Sequence, residues 1–274
     1  MSSPNYGDRP KCNENVYKGK GCAMKLSFEN INIFTQLVRQ TDLYKHYQLD
    51  EVKDRYDSNF IEFTSTPNLS ELLAALAYLR QVHHKSGRNF LKVVFPQNQE
   101  IPYELRQFLL DHNYGISILE MYAIKPSVFT RTPLQPEVLI SFVTEETLEG
   151  YLKIHYEDAQ QWGEPYAHAN RDMLKRDFLL QRKKQVVAVL HDEVIGSVDL
   201  IESPELVEID NLYVLPAHQK QGVGTKIQQF VMKNFADKTI ILVADGVDTP
   251  REMYTKQGYS YIGKQYSAIK TSLE

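Results

Sequence analysis

Apolar and polar residues recur with two different periods along this chain, and the switches between them outline its elements. In the second half, residues 138–143 read as a short apolar strand. Residues 145–161 carry helical spacing with Thr144 placed to cap it, and a second helix fits 170–181. Three strand-like runs follow at 185–190, 194–201 and 206–215, the first two joined by the turn signal His191-Asp-Glu193, which predicts an antiparallel meander. After Pro216 the period becomes helical, with Ile227, Phe230, Val231 and Phe235 on one face. A β-branched strand at 239–244, a short helix at 250–256 and a strand at 261–269 complete the order β-α-α-β-β-β-α-β-α-β. Such a mixture of hairpins and crossovers predicts an α/β fold, a mixed sheet with helices on its faces.

The first half reads as an echo of the second. Residues 114–125 (Tyr-Gly-Ile-Ser-Ile-Leu-Glu-Met-Tyr-Ala-Ile-Lys) align without a gap on 259–270 (Tyr-Ser-Tyr-Ile-Gly-Lys-Gln-Tyr-Ser-Ala-Ile-Lys), and the same offset sets Arg106 on Arg251. Upstream, a helix at 70–85 with Leu72, Leu76, Leu79 and His83 on its apolar side precedes a strand at 91–95 and a helix at 103–110, repeating the closing order of the second half. Two related domains are expected, 24–130 and 137–274, joined through 130–136 with Pro133 and Pro136. The C-terminal one is expected to bind its cofactor without the other. Residues 1–23 lack apolar periodicity and are expected to be a disordered leader. Lys18-Gly-Lys-Gly21 must be encoded by a purine-rich run resembling a ribosome-binding site, so Met24 is the expected native start.

At 274 residues, 42% hydrophobic and 24% charged, the chain has the composition of a globular protein of two compact units. A net charge of -4 argues against nucleic acid, and the basic run Gln181-Arg-Lys-Lys184 reads as a solvated helix end. No apolar stretch approaches the ~20 residues that span a bilayer, and no secretory signal is present, so a cytoplasmic protein is expected. Cys12 and Cys22 lack partners at metal-ligand spacing, and no metal is expected.

The informative stretch is 206–227, which reads as strand, tight loop and helix. Gln219-Lys-Gln-Gly-Val-Gly224 leaves backbone N–H groups at a helix start, where orphan donors and the helix dipole favour a phosphate. Gly222 and Gly224 let a ligand approach the main chain. A Walker loop would need Gly-Lys-Ser/Thr, and a dinucleotide fingerprint would need Gly at 227, where Ile stands. The order strand, Gln-x-x-Gly-x-Gly, amphipathic helix resembles the acetyl-CoA signature of GNAT acetyltransferases, Arg/Gln-x-x-Gly-x-Gly/Ala, over roughly 138–270. That resemblance implies acetyl-CoA as co-substrate, with its pyrophosphate on Gln219, Lys220, Gln221, Gly222, Val223, Gly224 and Thr225. It also implies main-chain contacts from Leu212, Tyr213 and Val214 to the pantetheine arm.

Acetyl transfer to an amine of pKa about 10.4 needs a base, and the departing thiolate needs an acid. Glu208 and Asp210 lie two residues apart on one strand, on one side unless a bulge changes the parity, and either is a candidate base. The segment 251–259, Arg-Glu-Met-Tyr-Thr-Lys-Gln-Gly-Tyr, resembles the family's Leu-Tyr-x-x-x-Gly-Phe/Tyr helix, which implies that Tyr254 protonates the thiolate. In the first half Leu109 takes the place of Tyr254 and no glycine loop precedes the helix at 70–85, so a degenerate GNAT-like domain is expected there. Tyr151, His155, Asp158 and Trp162 form one helical stripe, followed by Glu164 and Tyr166 in a connecting loop, and could receive a cationic amine. The expected acceptor is a small-molecule primary amine. A peptide amine, or acyl-CoA binding without turnover, stays open, as does a monomer or a homodimer.

Overall fold

The computed structural model describes residues 25–130, 137–247 and 250–273; the expected leader, Met24 and both cysteines lie outside the described residues, as do 131–136 of the expected linker. The first half contributes β1 (Gln36–Gln40), β2 (Tyr44–Gln48), β3 (Phe60–Phe63), α1 (Leu69–Ser86), β4 (Leu91–Val94), α2 (Tyr103–Asp111) and β5 (Gly115–Ile124). The second contributes β6 (Leu139–Phe142), α3 (Glu145–Ala159), α4 (Glu164–Leu179), β7 (Lys184–Leu190), β8 (Glu193–Glu202), β9 (Leu206–Val214), α5 (Val223–Asn234), β10 (Thr239–Asp245), α6 (Pro250–Gln257) and β11 (Ser260–Lys270). The second-half order is the one expected. β1, β2 and β3 were not expected: β1 is exposed along its whole length and β2 is Tyr-Lys-His-Tyr-Gln, so neither shows an apolar run, while β3, Phe-Ile-Glu-Phe, is only four residues long.

All eleven strands form one mixed sheet, in the order β1-β2-β3-β4-β11-β5-β10-β9-β8-β7-β6. β6 to β9 make the antiparallel meander, turned between β7 and β8 by His191 and Asp192 with φ of 50° and 66°. β9 then pairs in parallel with β10, and β3 with β4, across the crossover helices α5 and α1. The final strands are exchanged. β5 leaves its own half to lie beside β10, β11 lies beside β4, and the two run antiparallel to each other at the centre. A two-fold relation perpendicular to the sheet therefore links the halves.

One sheet face carries α1, α2, α5 and α6. Val207, Ile209, Ile240 and Leu242 pack there under Val223, Ile227 and Val231 of α5, and Ile61, Val93 and Ala268 under Leu72, Leu76 and Leu79 of α1. The opposite face is covered by α3 and α4 through Leu148, Tyr151, Leu152 and Leu174, and by the segment before β1 through Leu26, Phe28 and Ile31. Thr144 is the N-cap of α3, its N–H donating to Thr147 Oγ1 at 2.9 Å.

Several expectations change. The sheet register breaks between Tyr261 and Gly263. The gapless Ala-Ile-Lys match therefore slips: Ala123 sits with Met121 and Ile241 on one face, Ala268 with Tyr266 and Val93 on the other. α4 begins at Glu164, set off by Gly163 at φ 99° with Pro165 in its first turn, so Glu164 and Tyr166 are helical rather than in a loop. The half expected to bind the cofactor is also not a self-contained sheet, because β5 of the first half pairs with both β10 and β11.

That exchange predicts joint unfolding. Residues 137–274 alone would expose one edge of β10 and both edges of β11, together with the apolar side chains that Tyr122 and Ile124 cover. We expect this fragment to aggregate or to melt without a cooperative transition by circular dichroism, and the full chain to melt in one transition. A cooperative melt from the isolated fragment would contradict the exchange.

Candidate active site

β9 and β10 pair from Leu206–Thr239 to Ile209–Leu242 and then part. β9 continues to Val214 past a bulge between Asp210 and Tyr213, where Asn211 takes φ 52°. The main chain of 210–214 thus leaves its β10 side without a ladder, as an edge that an extended arm can join. Because the bulge lies beyond Asp210, Glu208 and Asp210 do share a face.

At the end of β9 the loop turns into α5 through two left-handed residues, Lys220 at φ 59° and Gly222 at φ 84°. Gly222 is the N-cap and supplies no side-chain cap, and the first intrahelical bond runs from Lys226 N–H to Gly222 O at 2.9 Å. The amides of Val223, Gly224 and Thr225 precede that bond and so have no intrahelical acceptor. Gln219 and Gln221 fold back to donate to Val214 O and Ala217 O at 3.0 and 2.9 Å, bracing the loop from outside. Together these features make an anion cradle. The equivalent start of α1 is closed by its own side chains. Asn68 Oδ1 accepts from Glu71 N–H at 3.0 Å, and Glu71 Oε2 accepts from Asn68 N–H at 2.8 Å.

Tyr254 of α6 stands on the helical face, its ring 5.1 Å from Tyr122 and 5.3 Å from Tyr259. Burial raises its phenol above the usual tyrosine range, and its hydroxyl has no hydrogen-bond partner among the described residues. Gln257 ties α6 to the cradle through Thr225 Oγ1 at 3.3 Å. Arg251 pairs with Glu120 of β5, so the first half also fixes the start of α6.

On the opposite face Glu208 is buried, and burial pushes its carboxyl up to about 7 against two hydrogen bonds from Asn32, N–H at 2.8 Å and Nδ2 at 3.0 Å. The nearby Asp210 adds to the rise and Lys183 opposes it. Lys183 is not part of a solvated helix end, as the sequence suggested. Its side chain is 3% exposed and lies between Asp210 at 2.9 Å and Asp199 at 3.4 Å, over the Phe34 ring. Burial works against its charge, but the two carboxylates outweigh this and hold it above the usual lysine range.

Of the expected acceptor stripe, Tyr151 is fully buried and donates to Asp199 at 2.7 Å. His155 is buried too, bonded to Ser197 Oγ through Nε2 and to Asn211 Nδ2 through Nδ1. Since the amide can only donate, Nδ1 accepts and Nε2 carries the proton; burial lowers the imidazole pKa and keeps it neutral. Asp158 acts on Tyr213 at the end of β9. Trp162 leaves the stripe because α3 ends at Ala159; it is 60% exposed and packs against Tyr166.

Residues 151–259 match the acetyltransferase (GNAT) family. This part of the chain is a GNAT domain. Residues 26–122 match a domain of unknown function, DUF5613. No curated protein matches the chain. A functionally unknown conserved protein from Staphylococcus epidermidis is similar over 91% of this chain and 99% of its own, with 28% identity and a TM-score of 0.84. A GCN5-related N-acetyltransferase from Kribbella flavida shares the fold over 86% of this chain and 89% of its own, at 15% identity and TM-score 0.58. So does a tandem GNAT protein from the clavulanic acid biosynthesis pathway, over 83% and 78%, at 11% identity and TM-score 0.50. The first half is accordingly GNAT-like in fold, joined to the GNAT domain by the exchanged strands.

Asn32, Lys183 and Tyr122 escaped the sequence reading. Lys183 carried a signal, a lysine just before β7 with Asp199 on β8 and Asp210 on β9 of the same meander; Asn32, in a loop 176 residues from Glu208, carried none.

Glu208 makes stability depend on pH in a defined direction. Its folded pKa of about 7 exceeds the ordinary 4.5, so its favourable contribution is complete below about pH 4.5 and is lost as pH rises towards 7. Above 7 the charged carboxylate costs up to about 3 kcal/mol. Glu208→Gln, which keeps an acceptor for Asn32, should stabilise the protein by about 1–3 kcal/mol at pH 8 and by much less at pH 5 in urea denaturation. Equal effects at both pH values would refute the raised carboxyl.

Proposed function

We propose that the chain is an N-acetyltransferase that moves the acetyl group of acetyl-CoA to a primary amine of a small molecule. The observation that carries this reading is the uncapped start of α5 at the end of β9, whose last residues have no ladder on the β10 side, with Tyr254 packed on one sheet face and Glu208 buried on the other. Acetyl-CoA supplies an activated acyl thioester. Residues 219–225 bind its pyrophosphate through backbone N–H groups, and Leu212, Tyr213 and Val214 orient its arm through main-chain bonds. Glu208, half ionised near neutral pH, takes a proton from the acceptor ammonium, directly or through water. The neutral amine forms the C–N bond as the C–S bond breaks, and the Tyr254 hydroxyl gives its proton to the departing sulfur. The amine's second proton then restores the phenol. Asp210 is the weaker candidate base because Lys183 already holds it.

The capped start of α1 and Leu109 in the place of Tyr254 support a first half, residues 24–130, that binds no coenzyme A. It serves residues 137–274 by holding Glu208 and α6 in place. A thiol-release assay over an amine panel separates turnover from acyl-CoA binding without turnover.

Two substitutions separate binding from chemistry. At Gly224 a Cβ would meet only Val214, at 3.9 Å, so Gly224→Val should keep the fold, which its circular dichroism checks. It should still raise the acetyl-CoA dissociation constant at least tenfold by isothermal titration, because the branched side chain stands where the pyrophosphate meets the backbone. Tyr254→Phe should keep cofactor affinity and lower kcat by about 10²-fold. Unchanged turnover with chemistry rate-limiting would remove the acid assignment.

A further inference from the structure

We propose that Arg55 anchors a carboxylate on the acceptor, so that the acceptor is an amino-acid-like molecule: a primary amine with a carboxylate and an apolar body, held between the two halves. The fate of its amine rests on the acetyltransferase reading; its binding does not.

A pocket of about 460 Å³ lies where the α3–α4 corner meets the segments before β3 and β4. It falls within the size range of small-molecule sites. Four aromatic rings line it among polar residues, drawn from both halves. Tyr56 and Phe90 meet edge to face at 4.7 Å on one side, and Trp162 and Tyr166 at 6.0 Å on the other. Arg55 lines the same pocket.

The charges that line the pocket are Asp54, Arg55 and Asp57, and Asp54, on the exposed rim, has no ion pair among the described residues, which leaves it to an ammonium. Asp57 is taken by Lys92; its surroundings would raise its carboxyl, but the lysine outweighs them and holds it below the usual range. Arg55 is half-buried, and its guanidinium makes one hydrogen bond among the described residues, to the Met173 thioether at 3.2 Å. No described carboxylate pairs with it. A partly desolvated guanidinium facing a pocket suits a carboxylate, which it can hold with two parallel bonds. A phosphate dianion would ask for a second cation, and Lys92 is already paired.

The position of Arg55 also fits. Its charge acts on Asp57 and Tyr166 at the pocket and on Asp177 and Lys183 in the buried network. Asp158 acts both on Tyr166 and on Tyr213 at the end of β9. Asp158 thus lies within electrostatic reach of both the pocket and the end of β9. A ligand with its carboxylate on Arg55 and its apolar body among the four rings can point its ammonium towards Asp158 and the end of β9.

Trp162, the single tryptophan of the chain, forms part of the wall and reports occupancy without any turnover. The full chain is titrated with L-phenylalanine and with phenethylamine, which keeps the ring and the amine and lacks the carboxylate. L-phenylalanine should change Trp162 emission saturably and bind at least tenfold more tightly than phenethylamine, and Arg55→Gln should erase that difference. Equal binding of the two ligands, no response from Trp162, or an undiminished preference in a folded Arg55→Gln protein would overturn the proposal. If L-phenylalanine binds as expected but no thiol is released from acetyl-CoA, the pocket assignment stands and the acetyltransferase reading fails.

Discussion

Where β5 and β11 run side by side, each half of the chain hands its last strand to the other, and most of the architecture follows from that pairing. A parallel pair such as β9 and β10 needs a further strand on its outer edge, since an open edge buried under helices would strand backbone groups. β5 covers β10 and β11 covers β4, so neither half completes its sheet from its own sequence. The exchange also aligns the helical faces. Residues on β5 reach the cores under both α1 and α5, with Ile116 and Ile118 in the former and Tyr122 and Ile124 in the latter.

The same constraint makes the candidate site a joint product. Tyr254 packs on Tyr122, and Arg251 pairs with Glu120, both from the exchanged strand. The segment before β1 crosses the other face and sets Asn32 on Glu208 and Phe34 under Lys183. A buried carboxylate with only two hydrogen bonds is costly, and that cost is what lifts its pKa into the range useful to a base. Its neighbour Asp210 is treated in the opposite way. Lys183 compensates it, so two carboxylates on one strand face receive two different environments. The two halves differ most where α1 and α5 begin. Asn68 and Glu71 cap the start of one helix with their side chains, while Gly222 brings no side-chain cap to the other.

The second half was legible because its signals are local. Apolar alternation, the turn at His191 and Asp192, and the glycine loop each act within a few residues, and their elements appear within a few residues of the expected bounds, apart from the earlier start of α4. What was not legible depends on partners distant in sequence. The exchange of β5 and β11 leaves the element order unchanged, so no pattern along the chain reports it. The slip at Tyr261 and Gly263 reverses the parity of one repeat, which is how a gapless match came to equate residues on opposite faces. Lys183 looked solvated because its compensating aspartates lie on two other strands. Trp162 left its stripe because α3 ends at Ala159, two residues before the expected bound, a boundary that periodicity alone does not fix.

The central claim is that one opening, between the parted ends of β9 and β10, brings the anion cradle of the GNAT domain together with two groups that the first half holds in place. A crystal structure of the full chain with coenzyme A tests it most directly. The account predicts pyrophosphate oxygens on the amides of 222–225, the pantetheine arm along 212–214, and the thiol lying between Tyr254 and Glu208. Coenzyme A bound at the start of α1, or with its thiol directed away from Tyr254 and Glu208, would contradict it.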